Sequence, residues 1–126
     1  MRNQNQRLRI YIAGPYTGKD EESLWANVVA AMDAGIEIYK RGHFPYVPHL
    51  THFIDQRSLE TGADLKWEDY LAWDKAWLSQ CDAFLLLAPS PGAKLELGWA
   101  KDLGLRIFHS IDDVPILNEP RLDKAL

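Results

Sequence analysis

The feature that most constrains this chain is the segment Ala83 to Ala100, AFLLLAPSPGAKLELGWA. A short apolar run, Ala83 to Ala88, stops at Pro89-Ser90-Pro91-Gly92, and a helical pattern carrying Glu96 follows. A run this short, rich in large aliphatics and bounded by Pro and Gly, reads as a strand buried on both faces. Ser90 has the chemistry of an N-cap, and Pro91 falls where proline is favoured, at the first helical position. In an open α/β sheet, ligands bind at such a turn, off the carboxyl end of the strand. Glu96 would lie about one and a half turns into the helix, close to that crevice. A carboxylate there can act as a nucleophile, a base or a ribose ligand.

The same alternation runs through the rest of the chain. Leu8 to Ala13 reads as a first strand ending at Gly14-Pro15. Ser23 to Arg41 reads as a helix with Leu24, Val28, Met32, Ile36 and Tyr39 along one stripe, stopped by Gly42. His43 to Val47 is a second strand, which Pro45 places at the edge of the sheet. Pro48 to about Asp64 shows no steady period and reads as a loop with at most a short helical turn near Gln56. Leu65 to Cys81 is a helix, Ala83 to Ala88 a third strand, Pro91 to Leu103 a helix ended by Gly104, and Leu105 to His109 a fourth strand. A tail from Asp112 to Leu126 has room for a last helix from Pro120. Strands alternating with helices predict a single α/β domain, Rossmann-like (flavodoxin-like), with helices on both faces of a parallel sheet. The expected strand order is 2-1-3-4. Its switch point puts the crevice between the Gly14 turn and the Ser90 turn.

Composition narrows the class. At 126 residues and 47 % hydrophobic, one domain can bury an ordinary core without metal or disulfide. The single cysteine, Cys81, rules out an internal disulfide and fits a cytoplasmic location. No signal peptide or long apolar span is visible, residues 1–7 are polar enough to fray, and no membrane partner is expected. A net charge of -4 with dispersed lysines argues against a nucleic acid partner. A small anion is still admissible, because backbone donors at a turn bind anions whatever the net charge.

Several side chains stand out against this frame. Asp74 interrupts the apolar stripe Trp67, Tyr70/Leu71, Trp77/Leu78, Cys81. Turned inward, its carboxyl would be costly unless paired, and burial would raise its pKa. It either caps a neighbouring turn at the stripe's edge or faces a site where it can give or take a proton. Glu96 is either a solvated glutamate favoured by the helix dipole or part of that site. Ser90 caps the helix and can also touch a ligand. Gly92 eases the turn or lets backbone N–H groups approach a phosphate. Gly14-Pro15-Tyr16-Thr17-Gly18 lacks the full spacing of a P-loop or dinucleotide fingerprint. Tyr11 belongs to strand 1 as a core residue needing a partner for its hydroxyl. His49 and His52 are spaced like metal ligands, but no third ligand accompanies them, so no metal or other cofactor is expected. Trp25, Trp67, Trp73, Trp77 and Trp99 read mostly as core or interface, with one or two able to stack on a planar base.

Taken in order, Tyr11-Ile12-Ala13-Gly14-Pro15, Asp74 ahead of a Trp-Leu-x-x-Cys-Asp-Ala run, and Ser90-Pro91-Gly92 leading to Glu96-Leu97-Gly98-Trp99-Ala100 resemble the nucleoside 2-deoxyribosyltransferase superfamily. Within it the chain is most similar to 2'-deoxynucleoside 5'-monophosphate N-hydrolases and cytidine monophosphate N-glycosidases. The resemblance runs from Leu8 to about Phe108. It implies an N-glycosidase acting on a small nucleoside or nucleotide, with Glu96 as nucleophile on the anomeric carbon. Asp74 would handle the departing base, and Tyr11 would position the sugar and Glu96. It also implies substrate contacts from Ser90, Gly92, His49 and the turn of Gly14, Pro15, Tyr16, Thr17 and Gly18. The resembled hydrolases carry a Gly-rich, arginine-bearing turn there, whereas this chain has Pro15-Tyr16-Thr17-Gly18-Lys19. Base exchange by a deoxyribosyltransferase, and a nucleotide-binding module without turnover, are the alternatives. A homodimer or higher homo-oligomer is the implied assembly.

Overall fold

The computed structural model describes residues 6–117. Its centre is β1, Arg9–Ala13, in which every residue after Arg9 is buried. It pairs in parallel with β2, Phe44–Tyr46, on one side and β3, Ala83–Leu86, on the other. β4, Arg106–Phe108, completes a four-stranded sheet in the order β2-β1-β3-β4. This is the predicted 2-1-3-4 order. β2 is an edge strand, as Pro45 requires. Its outward Phe44 is shielded by the Arg7 guanidinium, 5.3 Å from the ring centroid.

Alternation along β1 divides the core. Leu8, Ile10 and Ile12 point to the face covered by α1, Glu21–Lys40, and pack with Ala34, Ile38, Leu85 and Phe108. Tyr11 and Ala13 point to the opposite face, with Leu78 of α3 (Trp67–Leu78) and Ala93 and Ala100 of α4 (Pro91–Asp102). Helices thus lie on both faces. α1 begins at a capping box, in which Asp20 accepts from the Ser23 N–H and Ser23 Oγ accepts from the Asp20 N–H. α4 begins as read from sequence: Ser90 Oγ accepts from the Ala93 N–H and Pro91 is the first helical residue.

Three expectations need correction. Residues 48–64 are not a loop: Pro48–Leu50 form a 3-10 turn and Thr51–Thr61 form a helix, α2, ended by Gly62 in the left-handed region at φ 80°. Only Ser58 of α2 is buried, so no apolar stripe marks it. The buried line of α1 is Val28, Ala31, Ala34, Gly35 and Ile38, with Ile36 and Tyr39 exposed. Small residues face inward there because α1 sits close to the chain after β2; a Cβ on Gly35 would come 2.9 Å from Val47 Cγ2. Four of the five tryptophans are not core, whereas Trp99 is partly buried against it. Trp25, Trp67, Trp73 and Trp77 are all exposed, and of the predicted α3 stripe only Leu78 is fully buried. Of the frayed end expected over residues 1–7, residues 1–5 lie outside the described residues, as does the expected helix from Pro120. None of the described helices is long and apolar enough to cross a membrane.

Candidate active site

Tyr11 enters from the middle of the sheet. Because β1 is flanked on both sides, its ring is fully buried, between Phe84 of β3 at 5.8 Å and 5° and Tyr46 of β2 at 5.5 Å and 30°. Its hydroxyl donates to Glu96 Oε2, in the second turn of α4. That bond joins residues 85 apart in sequence and explains how a buried tyrosine is satisfied. Burial, and then the nearby charges of Glu96 and Asp74, push the Tyr11 phenol far above its usual value, so it stays protonated and can donate.

Asp74 lies on α3 between Trp73 and Trp77, and its Oδ1 is buried without a hydrogen-bond partner. Desolvation, followed by the charge of Glu96, pushes its carboxyl up to about 7, opposed by the Tyr46 side chain. Desolvation also lifts Glu96 to about 7, opposed by the Tyr11 hydrogen bond. These are the inward acid and the helical acid of the sequence reading, and they sit close enough to influence each other. Both carboxyls therefore titrate near neutrality instead of in the usual carboxylate range. Such a pair can stabilise positive charge with one member and donate a proton with the other.

The turn after β1 is tied to the neighbouring elements by several contacts. Gly14 follows Ala13, which pairs with Leu86, and a Cβ on Gly14 would come 3.3 Å from Leu87 Cβ; the β1 and β3 turns are therefore in contact. The Pro15 carbonyl accepts from Nε2 of the buried His49 at 3.0 Å. The Tyr16 hydroxyl meets His52 Nδ1 at 3.0 Å. Both histidines thus tie the turn to the start of α2. Asn27 of α1 donates to the carbonyls of Tyr16 and Thr17, at 3.1 and 3.4 Å. Gly18 lies against Ser23, where a side chain would strike Ser23 Oγ. Across the crevice, Gly92 opens α4 with nothing within 4 Å of a Cβ position.

Two hollows flank this edge. A cleft of about 500 Å³ on the α1 side brings together Gly14, Pro15 and His49 with Asn27, Asp33 and Leu87. A broader apolar groove of about 780 Å³ runs along β2, with Tyr46, Trp73 and Trp77 on one wall and Ile36, Tyr39 and Ile54 on the other. Asp74 and Glu96 line neither hollow; Tyr46 is the groove residue that reaches them. Tyr46 is the side chain that sequence reasoning missed. Its signal was register: in parallel pairing Tyr46 lies opposite Tyr11, and the two rings share a face. Asn27, Asp55 and Tyr70 were missed as well; the Tyr70 hydroxyl donates to Asp55 Oδ1 at 2.9 Å and so links α3 to α2.

No curated protein matches the chain. Residues 8–109, which hold all four strands and both acids, match the family described as Domain of unknown function (DUF4406), and the chain belongs to that family.

Proposed function

We propose that the protein is an N-glycosidase that releases the base from a nucleoside or nucleoside 5'-monophosphate. The observation that carries this reading is the pair Glu96 and Asp74: two largely buried carboxyls, each raised to about 7, with different partners. Breaking an N-glycosidic bond passes through an oxocarbenium-like state that a carboxylate beneath the sugar stabilises and can trap. Ionised Glu96, oriented by Tyr11, attacks the anomeric carbon as the carbon–nitrogen bond to the base breaks. Protonated Asp74 gives its proton to the departing base. Water then attacks the same carbon and loses a proton to Asp74, and Glu96 leaves as carboxylate. A well-placed acid contributes a factor of about 10²–10⁴ to such a step.

The Gly14 turn and the N-terminus of α4 offer backbone N–H groups and the Ser90 hydroxyl to a 5'-phosphate. Trp73, Trp77 and Tyr46 offer a planar base an aromatic wall. The exposed apolar residues of β2 and its flanking helices, among them Phe44, Ile36 and Trp77, support a homodimer. Sedimentation velocity tests the dimer.

Chromatography of a panel of nucleosides and their monophosphates tests the activity. Free base must appear with wild-type protein and fail to appear with Glu96→Ala. Free sugar formed equally with and without a second base marks hydrolysis, whereas a new nucleoside marks base exchange. Equilibrium binding with no cleavage across the panel would leave a nucleotide-binding module and sink the glycosidase reading.

A further inference from the structure

We infer that Tyr46 is a positioning residue that couples the two acids: its ring braces Tyr11, which holds Glu96, while its hydroxyl serves Asp74. The inference rests on the reading of Glu96 and Asp74 as the reacting groups.

The geometry begins with strand register. Tyr46 ends β2 opposite Tyr11, so both rings leave the same face of the sheet. Phe84, Tyr11, Tyr46 and Trp77 then form one ladder across β3, β1, β2 and α3, with successive centroids 5.8, 5.5 and 5.9 Å apart and interplanar angles of 5°, 30° and 19°. Aromatic pairs at such spacing contribute about 0.5–1.5 kcal/mol beyond their burial. Tyr46 is the rung that connects the sheet to α3, the helix that bears Asp74. Removing the ring would free Tyr11 on one side and loosen Trp77, three residues from Asp74, on the other.

The hydroxyl has a separate task. Asp74 presents an Oδ1 that is buried without a partner, which leaves the Tyr46 hydroxyl as the protein group that favours its ionised form. The Trp73 indole N–H, a donor only, faces the Tyr46 oxygen. The phenolic proton is therefore left for the carboxylate. The other titratable groups facing Tyr46 are Tyr11, which stays protonated, and Glu96 and Cys81, both of which raise its pKa, so Tyr46 stays protonated, at about 12. Through the ring Tyr46 acts on the nucleophile's partner, and through the hydroxyl it acts on the acid.

The two tasks separate by substitution. In protein labelled with ¹³C at Asp and Glu carboxyls, Asp74→Asn and Glu96→Gln assign the two signals. Tyr46→Phe keeps the ladder and removes the hydroxyl, so the Asp74 midpoint should rise by about half a unit to one unit while the Glu96 midpoint holds. Tyr46→Leu removes both, and the Glu96 midpoint should move as well. The pH profile of base release should follow, its alkaline limb shifting upward in Tyr46→Phe by the same amount. An Asp74 midpoint unchanged in Tyr46→Phe, or a Glu96 midpoint unchanged in Tyr46→Leu, overturns the inference. The carboxyl titration decides it whether or not any nucleotide is cleaved, so failure here is distinct from failure of the glycosidase reading.

Discussion

Replacing Glu96 with Gln should make the protein more stable in mild alkali and leave it unchanged in acid. Burial holds the Glu96 carboxyl at about 7 in the fold, against 4.5 in the unfolded chain. The native state therefore binds the proton more tightly than the unfolded state does, and stability falls as pH rises from about 4.5 to 7. Above pH 7 both states are ionised, and the fold carries the full cost of a buried charge. A gap of about 2.5 pH units at about 1.4 kcal/mol each sets an upper bound of about 3.5 kcal/mol. Relaxation of the site reduces it, so about 1–3 kcal/mol is expected at pH 8. Gln keeps the shape, and its carbonyl still accepts from the Tyr11 hydroxyl. Below pH 4 glutamate is neutral in both states and the difference vanishes. Urea denaturation of both proteins at pH 4 and pH 8, with equal m-values, measures the gap. An equal stability difference at both pH values, or a Gln variant less stable at pH 8, would refute the claim that Glu96 sits in a site that disfavours its charge. The same penalty is what a catalytic carboxyl held near neutrality requires, which fits the role proposed for Glu96.

Other perturbations probe the remaining supports. Tyr11→Phe removes the donor that lowers the Glu96 pKa, so the acid limb of the base-release profile should move upward, with a rate loss of about 10–100-fold. His43, fully buried, accepts from the Leu8 N–H at 3.0 Å and donates to the Pro115 carbonyl at 2.7 Å, and burial lowers its pKa. Its contribution to stability is intact above about 6.5 and lost as pH falls below that; His43→Ala should cost about 2–4 kcal/mol at pH 7.5 and less at pH 5, by urea denaturation. Gly18→Ala would drive a methyl into Ser23 Oγ and to 3.0 Å from the Leu24 nitrogen. That breaks the α1 capping box at a cost of about 1–2 kcal/mol, read as a lowered thermal midpoint.

Much of this architecture was legible because its signals are local. The apolar run before Pro89-Ser90-Pro91-Gly92 marks β3 and the start of α4, and Pro45 alone assigns β2 to an edge. Asp74 stood out as a charge within an apolar stripe, and its carboxyl oxygen is indeed buried. What was hidden depends on non-local pairing or on weak burial. α2 buries only Ser58 and is held by side-chain bonds such as Tyr16–His52 and Tyr70–Asp55, which leave no period in the sequence. On α1 the small residues Ala31, Ala34 and Gly35 face the sheet, so the bulkier stripe misled the helix phase. Tyr46 could be found only once the β1–β2 register was known.

The most direct trial is rapid quenching of the protein during turnover of a substrate found by the panel, followed by mass spectrometry of the peptide containing Glu96. A glycosyl group attached to Glu96 in wild-type protein, accumulating in Asp74→Asn and absent from Glu96→Gln, is the expected result. Base release at undiminished rate by Glu96→Gln, with no adduct on any peptide, would contradict the division of labour between the two acids.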